Sequence, residues 1–207
     1  MDDWREYDEL ELTPVLRGAL AAFREHGFNG ASVRDIAARV GVTVPALYYH
    51  HRNKEAMLAA LIEISLNAVI ERVHLALADA GDDLRQQFVN IIEAVVLHMT
   101  YHVDFAFLDP EFRYLNKETS QRYDDARRAV ERRIAETLVA GIDTGDFADQ
   151  QPKMTARALI GMCQSVAFWY RPDSPQTARE IADEYVAIAL AAVSRREAVD
   201  RKVARVV

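Results

Sequence analysis

The densest run of groups able to do chemistry lies between Ser32 and Lys54. Hydroxyls stand at Ser32, Thr43, Tyr48 and Tyr49, a guanidinium at Arg34, an imidazole at His50 and an amine at Lys54. Groups of these types donate to phosphate oxygens and base edges, so the chemistry they indicate is binding rather than catalysis. No Gly-rich phosphate loop, nucleophile elbow or HExxH pair occurs, and Asp124-Asp125 stands among arginines on a run that reads as a solvated helix face. We therefore expect no enzyme and no cofactor. His98 and His102, one helical turn apart with Glu93 and Asp104 nearby, could hold a metal, but no third ligand falls at a defined spacing. A buried or rim histidine pair without metal is the expectation. The lone Cys163 excludes an intrachain disulfide and, within an apolar run, reads as a small buried hydrophobe.

Helices must position these groups. Thr13-Pro14 opens the first, with a hydroxyl cap and proline where no donor is lost, and His26-Gly27 closes it. Ser32-Val33-Arg34-Asp35 reads as a capping box for a second helix, Val33 to Val40, ended by Gly41. Thr43 caps a third to about His50, and Asn53 a long fourth to about Ala80, stopped by Gly81. Further helices are expected from Asp83 to about His102, a short one near Pro110 to Leu115, and Lys117 to Ala140 ended by Gly141. Two more follow, Pro152 to about Tyr170 and Pro175 to about Arg196, with no credible strand. The expected fold is all-α. A head over residues 1–55, whose first eleven residues form an acidic extension, joins through the fourth helix to a helical body over 56–207.

Helix, Gly-centred turn and short helix over Ser32 to His50 is the helix-turn-helix pattern, in which a second helix enters the major groove of DNA. Ile36, Ala37, Val40, Val42 and Leu47 would hold the two helices together, leaving Thr43, Val44, Pro45, Ala46, Tyr48, Tyr49 and His50 outward. Val44, Pro45 and Ala46 suit thymine methyls, and the hydroxyls suit bases or phosphate. Tyr48 reads as a DNA contact, Tyr49 as mixed, and His51 as packing. The net charge of −7 argues against nucleic acid until it is mapped. Residues 12–55 carry six cations against three acids, while residues 1–11 and 56–207 are each net acidic. A small basic head on an acidic body fits a DNA-binding protein.

Gly41 to Glu55, with Val33-Arg34-Asp35-Ile36-Ala37 and Ala22-Phe23-Arg24-Glu25-His26-Gly27, closely resembles the DNA-binding segment of tetracycline-repressor-type regulators. His51 departs from the family, which usually has Phe or another apolar residue there. The resemblance implies a homodimer on a pseudo-palindromic double-stranded DNA operator, released when a small molecule enters the body. By the same carry-over Val44, Pro45 and Tyr48 would read bases, and Thr43, Tyr49, His50 and Lys54 would hold the backbone. Ser32 and Arg34 would touch phosphate, with a carboxylate on the head's own surface as the alternative partner for Arg34.

The resemblance also implies dimerisation through the last two long helices. Ala158, Leu159, Met162, Val166 and Trp169 form one stripe there, and Ile181, Tyr185, Ile188, Ala189 and Ala192 another. Phe168-Trp169-Tyr170-Arg171-Pro172, followed by Ser174-Pro175, resembles the end of repressors that answer acyl-CoA thioesters, such as regulators of fatty-acid and cholesterol-ring breakdown. It reads more readily as a structural turn between the dimer helices than as a ligand site. The rival effector class is a set of unrelated apolar cations, as in a multidrug-responsive repressor. Candidate pocket residues are His98, Met99, His102, Phe105, Phe107, Tyr114, Tyr123, Arg127, Met162, Gln164 and Phe168, with core packing the bland alternative for each. The acidic start lacks the pattern of a secretory signal and no window of 18 uninterrupted apolar residues occurs, so a cytoplasmic protein without membrane contact is expected.

Overall fold

The first helix begins where its hydroxyl cap dictates. In the computed structural model, which describes residues 3–195, Thr13 accepts a hydrogen bond from the Leu16 amide at the start of α1 (Pro14–Gly30). Gly27 breaks that helix's geometry at φ +67°, a conformation open to glycine, so the regular run ends where the sequence placed its close. The Ser32–Asp35 capping box opens α2 (Val33–Val40), Gly41 closes it at φ +70°, and Thr43 caps α3 (Val44–His50). Asn53 caps α4 (Lys54–Ala80), about 40 Å of helix without interruption.

The body packs around α5 (Leu84–Tyr101), whose residues from Asn90 to His98 are all buried. A helix buried on every side belongs at the centre, and α5 is enclosed by α4, α7 (Lys117–Thr144), α8 (Pro152–Gln164) and α10 (Ala178–Val193). Two short elements complete it: α6 (Val103–Ala106) with the 3₁₀ turn Asp109–Tyr114, and α9 (Val166–Trp169). No helix among the described residues is long and apolar enough to cross a membrane.

Four expectations need correction. Gly141 does not end α7, which runs on to Thr144 and is capped by Gly145 at φ +91°. Gly141 is buried, and a Cβ there would lie 2.2 Å from the Phe147 ring, so its role is close packing. The helix expected from Pro152 to Tyr170 is broken at Ser165, whose amide is shared between the Gly161 and Met162 carbonyls. The last helix starts not at Pro175 but after Thr177, which forms a capping box with Glu180, and it ends at Val193; the expected end at Arg196 lies outside the described residues. Val42 is exposed and holds no helices together; Ile36, Ala37 and Leu47 are buried there instead, with Val40 packed beside them.

The first part of the N-terminal extension packs on the body, while Leu10 packs against the head's cluster. Trp4 is buried in the body's core and donates through Nε1 to Asp79 at 3.1 Å. Arg5 grips the buried Glu93 through two hydrogen bonds of 2.9 and 3.1 Å, and Arg179 of α10 reaches the same carboxylate at 2.8 Å. Tyr7 donates to the Ala94 carbonyl and stacks on Tyr101. The segment is thus a strap over α4 and α5, and Glu93, which the sequence left as a possible metal ligand, is instead held by two arginines. Cys163 is buried and its thiol is pushed up to about 12 by burial, as for an inert packing group.

Candidate nucleic-acid interface and effector cavity

The head exposes the N-terminal face of α3. Ser32 accepts from the Asp35 amide at 3.1 Å and its own amide donates back to that carboxylate at 3.2 Å, fixing the start of α2. Asp35 is held below the usual carboxylate range first by the Ser32 hydroxyl, which donates to it at 2.6 Å, and then by the Ser32 amide, and Arg39 lowers Glu25 in the same way. Leu47 anchors α3 in the head core, which leaves Thr43, Pro45, Ala46, Tyr48, Tyr49 and His50 exposed and Val44 half-buried. Tyr49 is 88% exposed and meets His50 edge to face, whereas Tyr48 is 45% exposed. Arg34 is exposed and forms no ion pair among the described residues, so the carboxylate alternative has no support there.

Lys54 is placed differently from the sequence reading. Its ammonium donates to the Phe28 carbonyl at 2.5 Å and the Ala31 carbonyl at 2.8 Å, and lies 4.5 Å from the centre of the Phe28 ring. Burial pushes its pKa down. The side chain ties the start of α4 to the end of α1 and the link to α2. His51 is half-buried, with its pKa lowered by burial, in keeping with packing.

In the body a cavity of about 60 Å³ lies between α4, α5, α6, α7 and α8. Of the candidate ligand residues, His98, Met99, Phe105, Tyr123, Arg127 and Gln164 line it. His102 stands behind His98, ring centres 4.9 Å apart. Tyr114 stacks on Phe28 and accepts from Asn29 at 2.7 Å, joining body to head instead. Met162 is half-buried against the body core. Phe168, 68% exposed, and Phe107 line a separate surface groove with Arg24, Asp104 and Arg171. The sequence reading missed what α4 contributes: Ile62, Ser65, Leu66 and Val69 form one wall. Ser65, a lone hydroxyl on the apolar stripe of a long helix, was the available signal.

Both histidines are buried neutral. Burial first, then the charges of His102 and Arg72, push His98 down to about 3, and burial with Arg72 pushes His102 down to about 4. The cavity also touches the head. Phe105 and Tyr123 line it and at the same time pack in the cluster that holds Phe23, Phe28, Leu47 and Leu58. Polar links run beside them: Arg24 pairs with Asp104 at 2.7 Å, and Glu55 accepts from the Asn116 backbone and side chain.

Comparison with known proteins gives two family matches along the chain. Residues 15–61 match the model of bacterial regulatory proteins of the tetR family, and residues 81–193, more than half the chain, match the tetracycline-repressor-like C-terminal domain. The HTH-type transcriptional repressor KstR2 of Mycobacterium tuberculosis is 27% identical over 186 residues, covering 87% of this chain and 92% of that protein. A tetR-family regulatory protein from Rhodococcus RHA1 shares the fold at a TM-score of 0.82 and 24% identity, covering 89% of this chain and 97% of that one. AibR, solved with isovaleryl coenzyme A and operator DNA, does so at a TM-score of 0.76 and 23% identity, covering 84% and 95%. An exposed recognition helix on a capped helix-turn-helix, a helical body with an interior cavity, and family matches over both parts lead to one conclusion: the chain belongs to the TetR family of bacterial transcriptional regulators.

Proposed function

We propose that this protein is a repressor that binds a pseudo-palindromic operator as a homodimer and leaves it when an apolar, acyl-CoA or lipid-derived effector enters the body. The observation that carries the reading is the double membership of Phe105 and Tyr123, which wall the cavity and pack in the head's core. A ligand that displaces either ring changes how α4 and the 3₁₀ turn support the head, and so favours a conformation whose two recognition helices no longer match the groove spacing. Ser32, Arg34, Thr43, Val44, Pro45, Tyr48, Tyr49 and His50 form the DNA face. Lys54 supports that face from within.

Dimerisation through α8 to α10 is supported by their apolar exposure. Met154, Phe168, Trp169 and Ile188 are exposed, and Ala158, Ala187, Ala191 and Ala192 expose small side chains beside them. Leu159, Val166, Ile181 and Ala189 of the expected stripes turn inward onto the body core. The acyl-CoA reading draws on AibR's bound thioester and on Arg127 in the cavity wall. At about 60 Å³ the cavity takes only the tip of an acyl chain unless it opens. A neighbouring pocket of about 260 Å³ shares Ile62, Leu66 and Tyr123 with it, marking the seam between α4 and α7 as the direction of opening. Among the described residues no carboxylate lines this cavity, which disfavours an apolar cation there, since such a cation needs an anionic partner; Glu63 lines the neighbouring pocket.

Fluorescence anisotropy with the DNA flanking this protein's own gene, at two salt concentrations and with acyl-CoAs titrated in, tests the proposal. Tight, salt-sensitive binding released by a thioester is the expected result. Binding that no thioester or fatty acid disturbs overturns the effector class.

A further inference from the structure

We propose that the effector is selected by acceptor oxygens, a carbonyl oxygen accepting from His98 Nδ1–H and a second, carboxylate or thioester oxygen accepting from Arg127. The inference rests on the body cavity being the effector site.

Ser65 of α4 and His98 of α5 meet across the cavity wall, Oγ to Nε2 at 3.0 Å. His98 is fully buried, and its Nδ1 has no hydrogen-bond partner. Which of the two groups donates in this contact decides which nitrogen carries the proton. Thr137 and Thr144 donate to carbonyls of their own helix at 3.0 and 3.2 Å, but Ser65 makes no such bond among the described residues. His98 Nε2 is the one acceptor within its reach there. We assign the hydroxyl as the donor, which makes Nε2 the acceptor and puts the proton on Nδ1; a proton on Nε2 would leave the hydroxyl without a protein acceptor among the described residues. The imidazole stays neutral, because burial and the neighbouring Arg72 charge oppose a second proton. His98 therefore offers a buried donor whose hydrogen bond is unmade, a condition that favours any ligand able to complete it.

Arg127 lines the same cavity. It is half-buried, forms no ion pair among the described residues, and makes one long contact to Gln164 Oε1 at 3.4 Å. The rest of the wall is mostly aliphatic and aromatic. His98 and Arg127 in a mostly apolar wall, with no carboxylate among the described residues lining it, favour an apolar body with oxygens at two places over an amine.

The test uses the full-length protein with histidine nitrogens labelled, and octanoate, 4-oxooctanoate, 6-oxooctanoate and octylamine as probes. Long-range proton–nitrogen correlations on the free protein should place the His98 proton on Nδ1, the resonance being identified by its loss in His98→Gln. At least one oxo acid should then shift that nitrogen and bind about 10- to 100-fold more tightly than octanoate, with no saturable binding of octylamine. His98→Phe should lose the preference for the oxo acid while keeping octanoate. If that variant does not fold, Ser65→Ala, which removes one small hydroxyl, should mix the two tautomers and shrink the preference. A proton on Nε2, equal binding of oxo and parent acids, or tighter binding of the amine overturns the proposal. Operator release is scored separately. An oxo acid bound as stated to a protein that keeps its operator refutes the release mechanism and leaves the recognition chemistry standing.

Discussion

Lys54→Met separates two roles for one ammonium. As a phosphate contact, Lys54 would add to the electrostatic part of operator binding; as the structure has it, the group is tied to the Phe28 and Ala31 carbonyls. Hydrogen bonds to a charged donor contribute about 1.5–3 kcal/mol each when buried, and half-burial reduces that. Methionine keeps most of the stem packed on Phe28 and removes a cation from the first turn of α4, a gain of about 0.3–1 kcal/mol against the helix dipole. The balance is a loss of about 2 kcal/mol of stability per protomer. Urea unfolding of the variant should show that loss as a lower midpoint at unchanged slope. The salt dependence of operator binding, measured well below the unfolding range, should keep its slope. A phosphate contact in each protomer would instead lower the slope of log K against log salt by about 1.8 for the dimer. A slope reduced by that amount with the unfolding midpoint unchanged would refute the internal role.

Four other outcomes are expected. Stability should fall with pH from about 6.5 toward 4, because the unfolded chain takes up protons that the buried His98 and His102 refuse until about 3 and 4; the effect is at most about 1.4 kcal/mol per pH unit per histidine, and His98→Phe should flatten the thermal-midpoint profile. Gly141→Ala drives a methyl into the Phe147 ring and should cost about 1–3 kcal/mol in denaturant unfolding, although the same exchange at an open helical site stabilises. Trp4→Ala empties a buried indole site in the body and should cost about 3–5 kcal/mol while leaving operator affinity unchanged at temperatures where the protein is folded. Tyr48→Ala should abolish specific operator binding and leave the dimer intact by analytical ultracentrifugation; loss of the dimer would remove Tyr48 from the DNA face.

What could be read from the sequence alone was whatever neighbours along the chain decide. Thr13, Ser32 with Asp35, Thr43 and Asn53 each cap the amide three residues on, and Gly27 and Gly41 adopt positive φ where the helices were expected to stop. These are interactions over one turn, so residue type and spacing suffice, and they define the helix-turn-helix. The Thr177–Glu180 box is equally local, and it rather than Pro175 starts the last helix. Tertiary structure decided the rest, because the partners lie far apart in the chain. Gly141 looks like a helix stop until Phe147 is found folded over it, and Lys54 looks like a phosphate ligand until the Phe28 and Ala31 carbonyls come within reach. The acidic start looks like a free tail until Glu93, 88 residues away from Arg5, is brought beneath it. The cavity is the extreme case. Its walls come from five helices whose order in the sequence says nothing of their adjacency, and His98 is assigned as a donor only because Ser65 sits opposite it, 33 residues away.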